Sequence, residues 1–303
     1  MSIQTGRILV RNLHPFFVGE VSGVDLTRPL DDATFNEIRD TFFEHGVLVF
    51  HDQPLTDEEQ IAFSERFGPL ETSISTYRSD RARRLARPEL SDISNLDEHG
   101  NVMSADDERR HNNRGNQLWH TDSSFKSVPA MASMLSAREV PPSGGETEYA
   151  DLRAAWDALP AARQQELEGL IAEHSILYSR SLIGYEFTDE EKRKLQAVHQ
   201  TVVRVHPTTR RKGLYLASHA SHIVGRPVEE GRALLRELLE FATQPGFVYR
   251  HTWRVGDLVM WDNRSVLHRG RPWDEQRHRR VMHRTTVAGL GPTVVDGRVQ
   301  VGV

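Results

Sequence analysis

His120 and Asp122 are separated by one residue in the middle of the chain. Side chains two positions apart in an extended strand point to the same face, so this imidazole and this carboxylate can bind one divalent metal from one side. A third ligand would complete the set of two histidines and one carboxylate that leaves coordination positions open for Fe(II) oxygen chemistry. His268, far downstream, is the candidate for that ligand. The three residues predict a mononuclear metal centre.

A His-x-Asp pair is a weak motif in isolation. Most occurrences arise by chance, and a single histidine beside a buried strand is more often a hydrogen-bonded core residue than a ligand. The chain of 303 residues has no cysteine, which excludes disulfides, thiol nucleophiles, cysteine-bound iron-sulfur clusters and cysteine-rich zinc sites. Any metal must therefore be bound by His, Asp and Glu.

The last long strand pattern, at residues 279–287, carries candidate cations. Arg280 and Arg284 fall on one face by alternation, and a mostly β-branched set falls on the other. Arginines of this kind are either solvent-exposed or bind carboxylates through charge-assisted bidentate bonds. Thr147, after a double-glycine turn, is either a turn hydroxyl or a second partner for such a carboxylate. Spacing alone leaves both interpretations open.

The formal net charge of −5 gives no general attraction to nucleic acid or to an anionic membrane. No stretch reaches the roughly 18 consecutive apolar residues of a membrane span, and the first residues lack the apolar region of a signal peptide. We therefore expect a cytoplasmic protein that binds neither nucleic acid nor membrane. Its anionic ligands must be met by local cations.

Periodicity places these residues among alternating helices and short strands, which favours a single domain over residues 1–303. The patterns predict helices at 31–45, 56–67, 152–159, 164–173 and 226–242, and strands at 47–50, 91–96, 131–137, 213–217, 247–253, 258–261 and 279–287. His268 lies just past the strand at 258–261. Between residues 71 and 117 the periodicity fades into a polar segment, which is either an active-site lid or a surface excursion.

Four segments, in this order, resemble the taurine dioxygenase and (2,4-dichlorophenoxy)acetate dioxygenase family. They are Trp119-His120-Thr121-Asp122-Ser123-Ser124-Phe125, Pro141-Pro142-Ser143-Gly144-Gly145-Glu146-Thr147, Gly256-Asp257-Leu258-Val259-Met260-Trp261-Asp262-Asn263 and Arg279-Arg280-Val281-Met282-His283-Arg284-Thr285-Thr286. The resemblance extends from Gly19 to about Gly289. The tail Ser123-Ser124-Phe125 and the segment at 144–151 look closer to the phenoxyacetate branch.

The resemblance implies an α+β fold with a mainly β core: a double-stranded β-helix, or cupin-like jelly roll, with flanking helices. It implies one dioxygenase domain with an active-site lid around residues 71–117. Its cofactors would be Fe(II), 2-oxoglutarate as co-substrate, and O2. The implied site residues are His120, Asp122 and His268 for the metal and catalysis, Thr147 and Arg280 for the distal carboxylate of 2-oxoglutarate, Arg284 for the anionic substrate or the co-substrate, and Asn116 for the substrate.

The spacing from His268 to Arg280 departs from that of the taurine branch, in which the co-substrate arginine lies one residue nearer to the distal histidine. Counting from His268 would select Arg279. We prefer Arg280, because aligning the segment Arg279-Arg280-Val281-Met282-His283-Arg284 places it there, and because Arg280 shares a face with Arg284.

The implied reaction couples conversion of 2-oxoglutarate to succinate and CO2 with hydroxylation of a small anionic substrate. The preferred substrate class is an aryloxyalkanoate of the phenoxyacetate type. Hydroxylation beside its ether oxygen gives a hemiacetal, which collapses to a phenol and a 2-oxo acid. The alternatives are a sulfonate such as taurine, an alkyl sulfate or another carboxylate. A rival of another class is a cupin-like hydrolase or metal-binding protein. We expect a homo-oligomer.

The substrate anion requires a local cation in this net-negative chain. Arg284 is the first candidate. The arginines of the polar segment are the second, and they are Arg78, Arg81, Arg83 and Arg84. Arg284 is preferred because a basic run of that kind is typical of a solvated surface.

Overall fold

The computed structural model describes residues 7–72 and 83–303, together with the backbone of residues 2–4. The strands are β1 Ser2–Gln4, β2 Leu9–Asn12, β3 Gly19–Ser22, β4 Val47–Phe50, β5 Ser91–Ser94, β6 Ala132–Glu139, β7 Thr147–Asp151, β8 Ile171–His174, β9 Val198–Thr201, β10 Val203–Val205, β11 Lys212–Leu214, β12 Ala220–Ile223, β13 Val248–His251, β14 Leu258–Asp262, β15 Val266–Gly270, β16 Val281–Val287, β17 Val294–Val295 and β18 Arg298–Val299. The helices are α1 Asp32–His45, α2 Asp57–Glu65, α3 Glu108–Asn113, α4 Leu152–Asp157, α5 Ala161–Leu167, α6 Ile176–Ser181, α7 Asp189–Lys194 and α8 Val228–Ala242.

The main sheet has the strand order β1-β2-β3-β4-β14-β6-β16-β5. Its centre, β14, is buried along its whole length and pairs antiparallel with β4 on one side and β6 on the other. A strand that is covered on both faces has no solvent side, so its sequence is continuously apolar instead of alternating. The run Leu258-Val259-Met260-Trp261 fits that rule.

A second sheet, β13-β7-β15, packs against the main one. Tyr149 of β7 meets Trp261 of β14 with ring centroids 5.6 Å apart, and Val266 of β15 and Met282 of β16 belong to the same buried cluster. The protein is therefore a jelly roll whose core lies between two mainly antiparallel sheets. The predicted α+β fold with a mainly β core and flanking helices is confirmed.

Helices cover the outer faces. In α1, Phe35, Ile38 and Phe42 recur at helical spacing and pack on the main sheet. Gly46 ends this helix in the left-handed conformation at φ 76°, and its N–H bonds to the Phe42 carbonyl, as the sequence predicts. The apolar stripe of α8 packs on a separate cluster around β12 and α4.

The helix predicted at 164–173 is wrong over its second half. The helix α5 ends at Leu167, Gly169 adopts φ 78°, and Ile171 begins the strand β8, which pairs with β9. Three apolar residues spaced by three and one satisfy both a helical stripe and a short strand, so periodicity could not separate the two. His268 does follow the strand β14, as predicted, but it lies inside a further strand, β15, that the pattern did not predict.

The polar segment at 71–117 is described at residues 71–72 and from residue 83 onward, and residues 73–82 lie outside the described part. The described portion contains β5, α3 and a short 3-10 helix, Arg114–Gln117. Of the helices in the described ranges, none combines the length and apolar character needed to cross a membrane.

Candidate metal centre

The backbones of His120 and His268 pair directly. Each donates its N–H to the other's carbonyl, at 3.0 and 2.9 Å, in an isolated antiparallel bridge. Their rings stand 4.1 Å apart between centroids. The sequence suggested that His120 lies in an extended strand, but it does not. This one bridge and the following turn orient its side chain. The strand β15 brings in the distal histidine.

Hydrogen bonds fix Asp122 on both sides. Its Oδ2 accepts from the Ser133 hydroxyl at 2.7 Å, and its Oδ1 accepts from Arg284 Nη1 at 2.5 Å. Asn263 ties the network together, because its Oδ1 accepts from the Asp122 N–H and its Nδ2 donates to Ser133 Oγ, both at 3.0 Å. A carboxylate held in this way needs little reorganisation to serve as a ligand.

The three side chains offer one donor atom each, all within 4.8 Å of one another, and all three residues are buried. Among the described residues they are the sole group of His, Asp and Glu with this geometry. His268 Nε2 lies 3.6 Å from Asp122 Oδ2. The carbonyl of Leu118 can only accept, so the 2.8 Å contact with His120 Nδ1 assigns the proton to Nδ1 and leaves Nε2 free as a ligand.

Burial sets the protonation of the three groups. Burial lowers the pKa of His120 and lowers that of His268 further, which favours the neutral imidazoles that a metal requires. Burial alone would raise the pKa of Asp122, but the charge of Arg284 holds it below its ordinary value. Two neutral imidazoles and one carboxylate fit a divalent ion of the Fe(II) type.

Arg280 and Thr147 meet at a second point of the same cavity. Arg280 Nε donates to the Gly145 carbonyl at 3.0 Å, and Trp253 Nε1 donates to Thr147 Oγ1 at 3.0 Å. Gly145 adopts φ 71°, and a Cβ there would lie 3.1 Å from Arg280 Cδ, so the glycine admits the arginine. Among the described residues no carboxylate lies within 4.0 Å of the Arg280 guanidinium. Burial lowers its pKa to about 10, so it remains a cation at neutral pH.

The cavity has a volume of about 810 Å³ including its open mouth. Its lining includes His120, His268, Thr147, Arg280, Arg284 and Asn116, which are six of the seven predicted site residues. Asp122 faces the same space through its contacts with His268 and Arg284. Arg279 points away and pairs with Glu139 on the surface at 2.9 Å, as alternation along the strand suggested.

Sequence reasoning missed four groups. Ser133 and Asn263 orient the carboxylate, and Trp253 orients Thr147. His219 has no acidic residue nearby in sequence to mark it, yet its ring packs edge-on against that of His120, at 6.1 Å between centroids, and its Nδ1 pairs with Ser179 Oγ at 2.8 Å. A buried hydroxyl orients this imidazole, and no spacing rule would have identified that partner.

The arginines of the polar segment separate into two groups. Arg78 and Arg81 lie outside the described residues. Arg83 donates to the carbonyls of residues 87 and 90, and Arg84 forms a two-point ion pair with Asp92 at 2.6 Å. Arg83 and Arg84 are therefore engaged in local contacts.

Comparison with known proteins agrees with this geometry. The family model "Taurine catabolism dioxygenase TauD, TfdA family" matches residues 9–286. The chain is 48% identical over 276 residues to the alpha-ketoglutarate-dependent 2,4-dichlorophenoxyacetate dioxygenase of Burkholderia sp. (strain RASC), covering 91% of this chain and 93% of that protein. It is 38% identical over 283 residues to the (S)-phenoxypropionate/alpha-ketoglutarate-dioxygenase of Sphingobium herbicidovorans, covering 90% and 92%.

A solved structure is similar over nearly the whole chain. The crystal structure of AAD-2 in complex with Mn(II) and N-oxalylglycine superimposes with a TM-score of 0.87 at 48% identity, covering 95% of this chain and 99% of that one. That protein binds a divalent metal together with N-oxalylglycine, an analogue of 2-oxoglutarate (alpha-ketoglutarate).

Proposed function

The chain belongs to the TauD, TfdA family of dioxygenases, and from that premise we propose that it hydroxylates an aryloxyalkanoate in a reaction that depends on Fe(II) and 2-oxoglutarate. The observation that carries the proposal is the pairing, in one cavity, of a His-Asp-His donor set with a buried arginine that has no carboxylate partner in the described part of the chain. The donor set suits the metal, and the unpaired cation suits a fixed carboxylate.

His120, Asp122 and His268 would hold Fe(II), which would supply oxidation by O2: one oxygen atom would enter the succinate formed from 2-oxoglutarate with loss of CO2, and the other would enter a substrate C–H bond as hydroxyl. The protein positions the reactants. Arg280 and Thr147 bind the distal carboxylate of 2-oxoglutarate. Because Arg280 is buried and anchored to the Gly145 carbonyl, its guanidinium presents a fixed orientation to that carboxylate.

Arg284 faces the reacting end. Its Nη1 donates to Asp122, and its Nε is buried without a partner among the described residues. We assign it to the anionic groups that approach the metal, on the substrate or the co-substrate, and Asn116 to the substrate. The substrate must then place its reactive carbon over the metal, and exclusion of other C–H bonds depends on that orientation.

An aryloxyalkanoate agrees with the relatives at 48% and 38% identity, which are named for 2,4-dichlorophenoxyacetate and phenoxypropionate. Apolar side chains also line the cavity beside the polar ones, among them Ile93, Met103, Leu135 and Trp261. An aromatic ether with a carboxylate at one end needs both kinds of surface. Hydroxylation of the carbon between the ether oxygen and the carboxylate gives a hemiacetal that collapses to a phenol and a 2-oxo acid.

The deciding experiment loads the full chain with Fe(II) without oxygen, then adds 2-oxoglutarate, O2 and one of a panel of anions. The panel contains phenoxyacetate, both enantiomers of 2-phenoxypropionate, taurine and an alkyl sulfate. We expect phenol release and an equal amount of succinate with an aryloxyalkanoate. Succinate with taurine or the alkyl sulfate alone would keep the chemistry and overturn the substrate class. Zinc-supported turnover that needs no 2-oxoglutarate would establish the hydrolase instead.

A further inference from the structure

Arg180 lies on the short helix α6 and, like Arg280, has no counter-ion in the described part of the chain. Its Nε donates to the side-chain oxygen of Asn112 at 2.8 Å. Among the residues at 7–72 and 83–303, no carboxylate lies within 4.0 Å of its guanidinium. The side chain is half-buried, and burial lowers its pKa to about 10, so it is a cation at neutral pH.

The guanidinium occupies the place where a side chain at position 115 would stand. A Cβ added to Gly115 would lie 2.2 Å from Arg180 Nη1, so any other residue there would displace the arginine. Gly115 directly precedes Asn116, which lines the cavity with His120. The arginine therefore packs against the segment that carries Asn116.

Ser179, which precedes Arg180 on α6, is connected to the metal ligand His120 through His219. Ser179 Oγ pairs with His219 Nδ1, and the His219 ring packs edge-on against that of His120 and 4.9 Å from that of Phe125. Burial lowers the pKa of both histidines, and the charge of Arg180 lowers it further. Arg180 thus lies within electrostatic range of the site, beside an imidazole and an aromatic ring.

Arg284, Arg280 and Arg180 differ in what neutralises them. Arg284 pairs with Asp122 at 2.5 Å. Among the described residues neither Arg280 nor Arg180 has a carboxylate, and the proposed co-substrate supplies one to Arg280. The two cations contact different segments of the chain. Arg180 contacts Asn112 and Gly115, whereas Arg280 contacts Gly145 and the Trp273 ring. A cation removed from water without a partner is costly, so a bound anion would stabilise Arg180 as the co-substrate carboxylate would stabilise Arg280.

We propose that Arg180 is a substrate-binding, specificity-determining residue whose guanidinium binds the carboxylate of the aryloxyalkanoate. The inference rests on the proposed function, and it adds a cation that the family segments in the sequence do not contain. With Arg280 bound to 2-oxoglutarate and Arg284 bound to Asp122, Arg180 offers donors in a planar fork that fits a carboxylate. The ring of the substrate would then lie toward Phe125 and His219.

The test compares Arg180→Gln with Arg232→Gln, a matched control. Arg232 lies on α8 and stacks over Tyr178 of α6 at 5.3 Å, but it pairs with Glu229 at 3.0 Å. For each variant the assay determines the phenoxyacetate KM, the co-substrate KM, and the succinate formed without substrate. Calorimetry with Mn(II) and N-oxalylglycine measures the Kd for phenoxyacetate without turnover.

In Arg180→Gln we expect the phenoxyacetate KM and Kd to rise about 10- to 100-fold, as loss of a hydrogen bond between charged groups implies. The co-substrate KM and the succinate formed without substrate should stay near wild type, and Arg232→Gln should change neither KM. The preference for phenoxyacetate over the neutral phenoxyacetamide should fall by the same factor, because the amide cannot use the cation.

An unchanged preference for the carboxylate over the amide would overturn the proposal, as would equal rises in both KM values, which indicate a structural role. If Arg180→Gln does not fold, Arg180→Lys decides: it keeps the charge and loses the fork, so the phenoxyacetate KM should rise while the co-substrate KM stays unchanged. Wild-type protein that forms no succinate from 2-oxoglutarate would refute the proposed function; the Kd comparison would still test Arg180.

Discussion

Two groups of residues lie around the cavity, which Thr147, Arg280 and Asn116 line, and they are held by different kinds of structure. Thr147, Trp253 and Arg280, which we call the co-substrate wall, lie on or next to strands of the two packed sheets. Asn116, Arg180 and His219, which we call the substrate wall, lie on short helices and loops. Strand ladders fix one wall through the core, whereas the other is fixed mainly by side-chain contacts.

The difference indicates how one fold can keep a reaction and change its substrate. A change in the co-substrate wall disturbs the strand pairs β7 with β13 and β7 with β15, and with them His268 on β15. A change in the substrate wall alters α6 or the turn after the 3-10 helix and leaves those ladders intact. Residues on connections supported by a rigid scaffold are the usual place for specificity.

The largest expected effect is at the junction of the two walls. Asp122→Ala removes the carboxylate that both walls depend on and leaves the Arg284 charge unpaired. We expect turnover to fall by more than the roughly 10- to 100-fold that loss of an outer-shell partner costs, with or without substrate, and bound iron to fall as well. Succinate formation and metal content measure this. Asp189→Ala, an exposed acid on α7, is the control, and normal activity in Asp122→Ala would exclude the metal assignment.

Next in size is Arg280→Met, which tests the co-substrate wall alone. It removes a buried cation from its carboxylate partner, a loss that costs about 2 kcal/mol or more, so the co-substrate KM should rise at least about 30-fold. The substrate KM should change little. Arg279→Met is a matched control because Arg279 pairs with Glu139 on the surface. A larger effect in the control would transfer the co-substrate role to Arg279.

The sequence predicted the co-substrate wall better than the substrate wall, for a physical reason. Arg280 and Arg284 lie four residues apart on one strand, and the period of two places them on one face. Thr147 follows a Gly-Gly turn whose sequence resembles the family's. Such signals are local, and a strand converts them directly into geometry.

Apart from Asn116, which the family resemblance implied, the substrate wall left no comparable signal. Arg180 lies in a six-residue helix too short to show an apolar stripe, and its importance comes from the lack of a carboxylate partner among the described residues, which only the three-dimensional contacts reveal. His219 has its hydroxyl partner forty residues away in sequence. His120 and Asp122 were found through strand alternation, although a bridge and a turn orient them instead; the residues were right and the local structure was wrong.

Arg284→Ala tests whether Arg284 binds the substrate or the co-substrate. Arg284 pairs with Asp122, so its loss should lower kcat, and its Nε, which has no partner among the described residues, faces the anions near the metal. We expect the substrate KM to rise about tenfold and the co-substrate KM to rise less. Steady-state kinetics over both ligands separates the two values. Equal rises would assign Arg284 to the co-substrate and leave Arg180 as the cation of the substrate wall.

The smallest effects come from one hydrogen bond on each wall. Trp253→Phe keeps the buried ring and removes the Nε1 donor to Thr147 Oγ1, and Ser179→Ala removes the hydroxyl that orients His219. A single neutral hydrogen bond contributes about 1 kcal/mol, so each change should raise one KM by roughly fivefold: the co-substrate KM in Trp253→Phe, and the substrate KM in Ser179→Ala. The two walls act separately if the double variant shows both shifts unchanged, since distant sites add. A shift of both KM values in either single variant would instead mean that the two walls are coupled through the metal ligands. The substrate preference could then not change without a change in co-substrate binding.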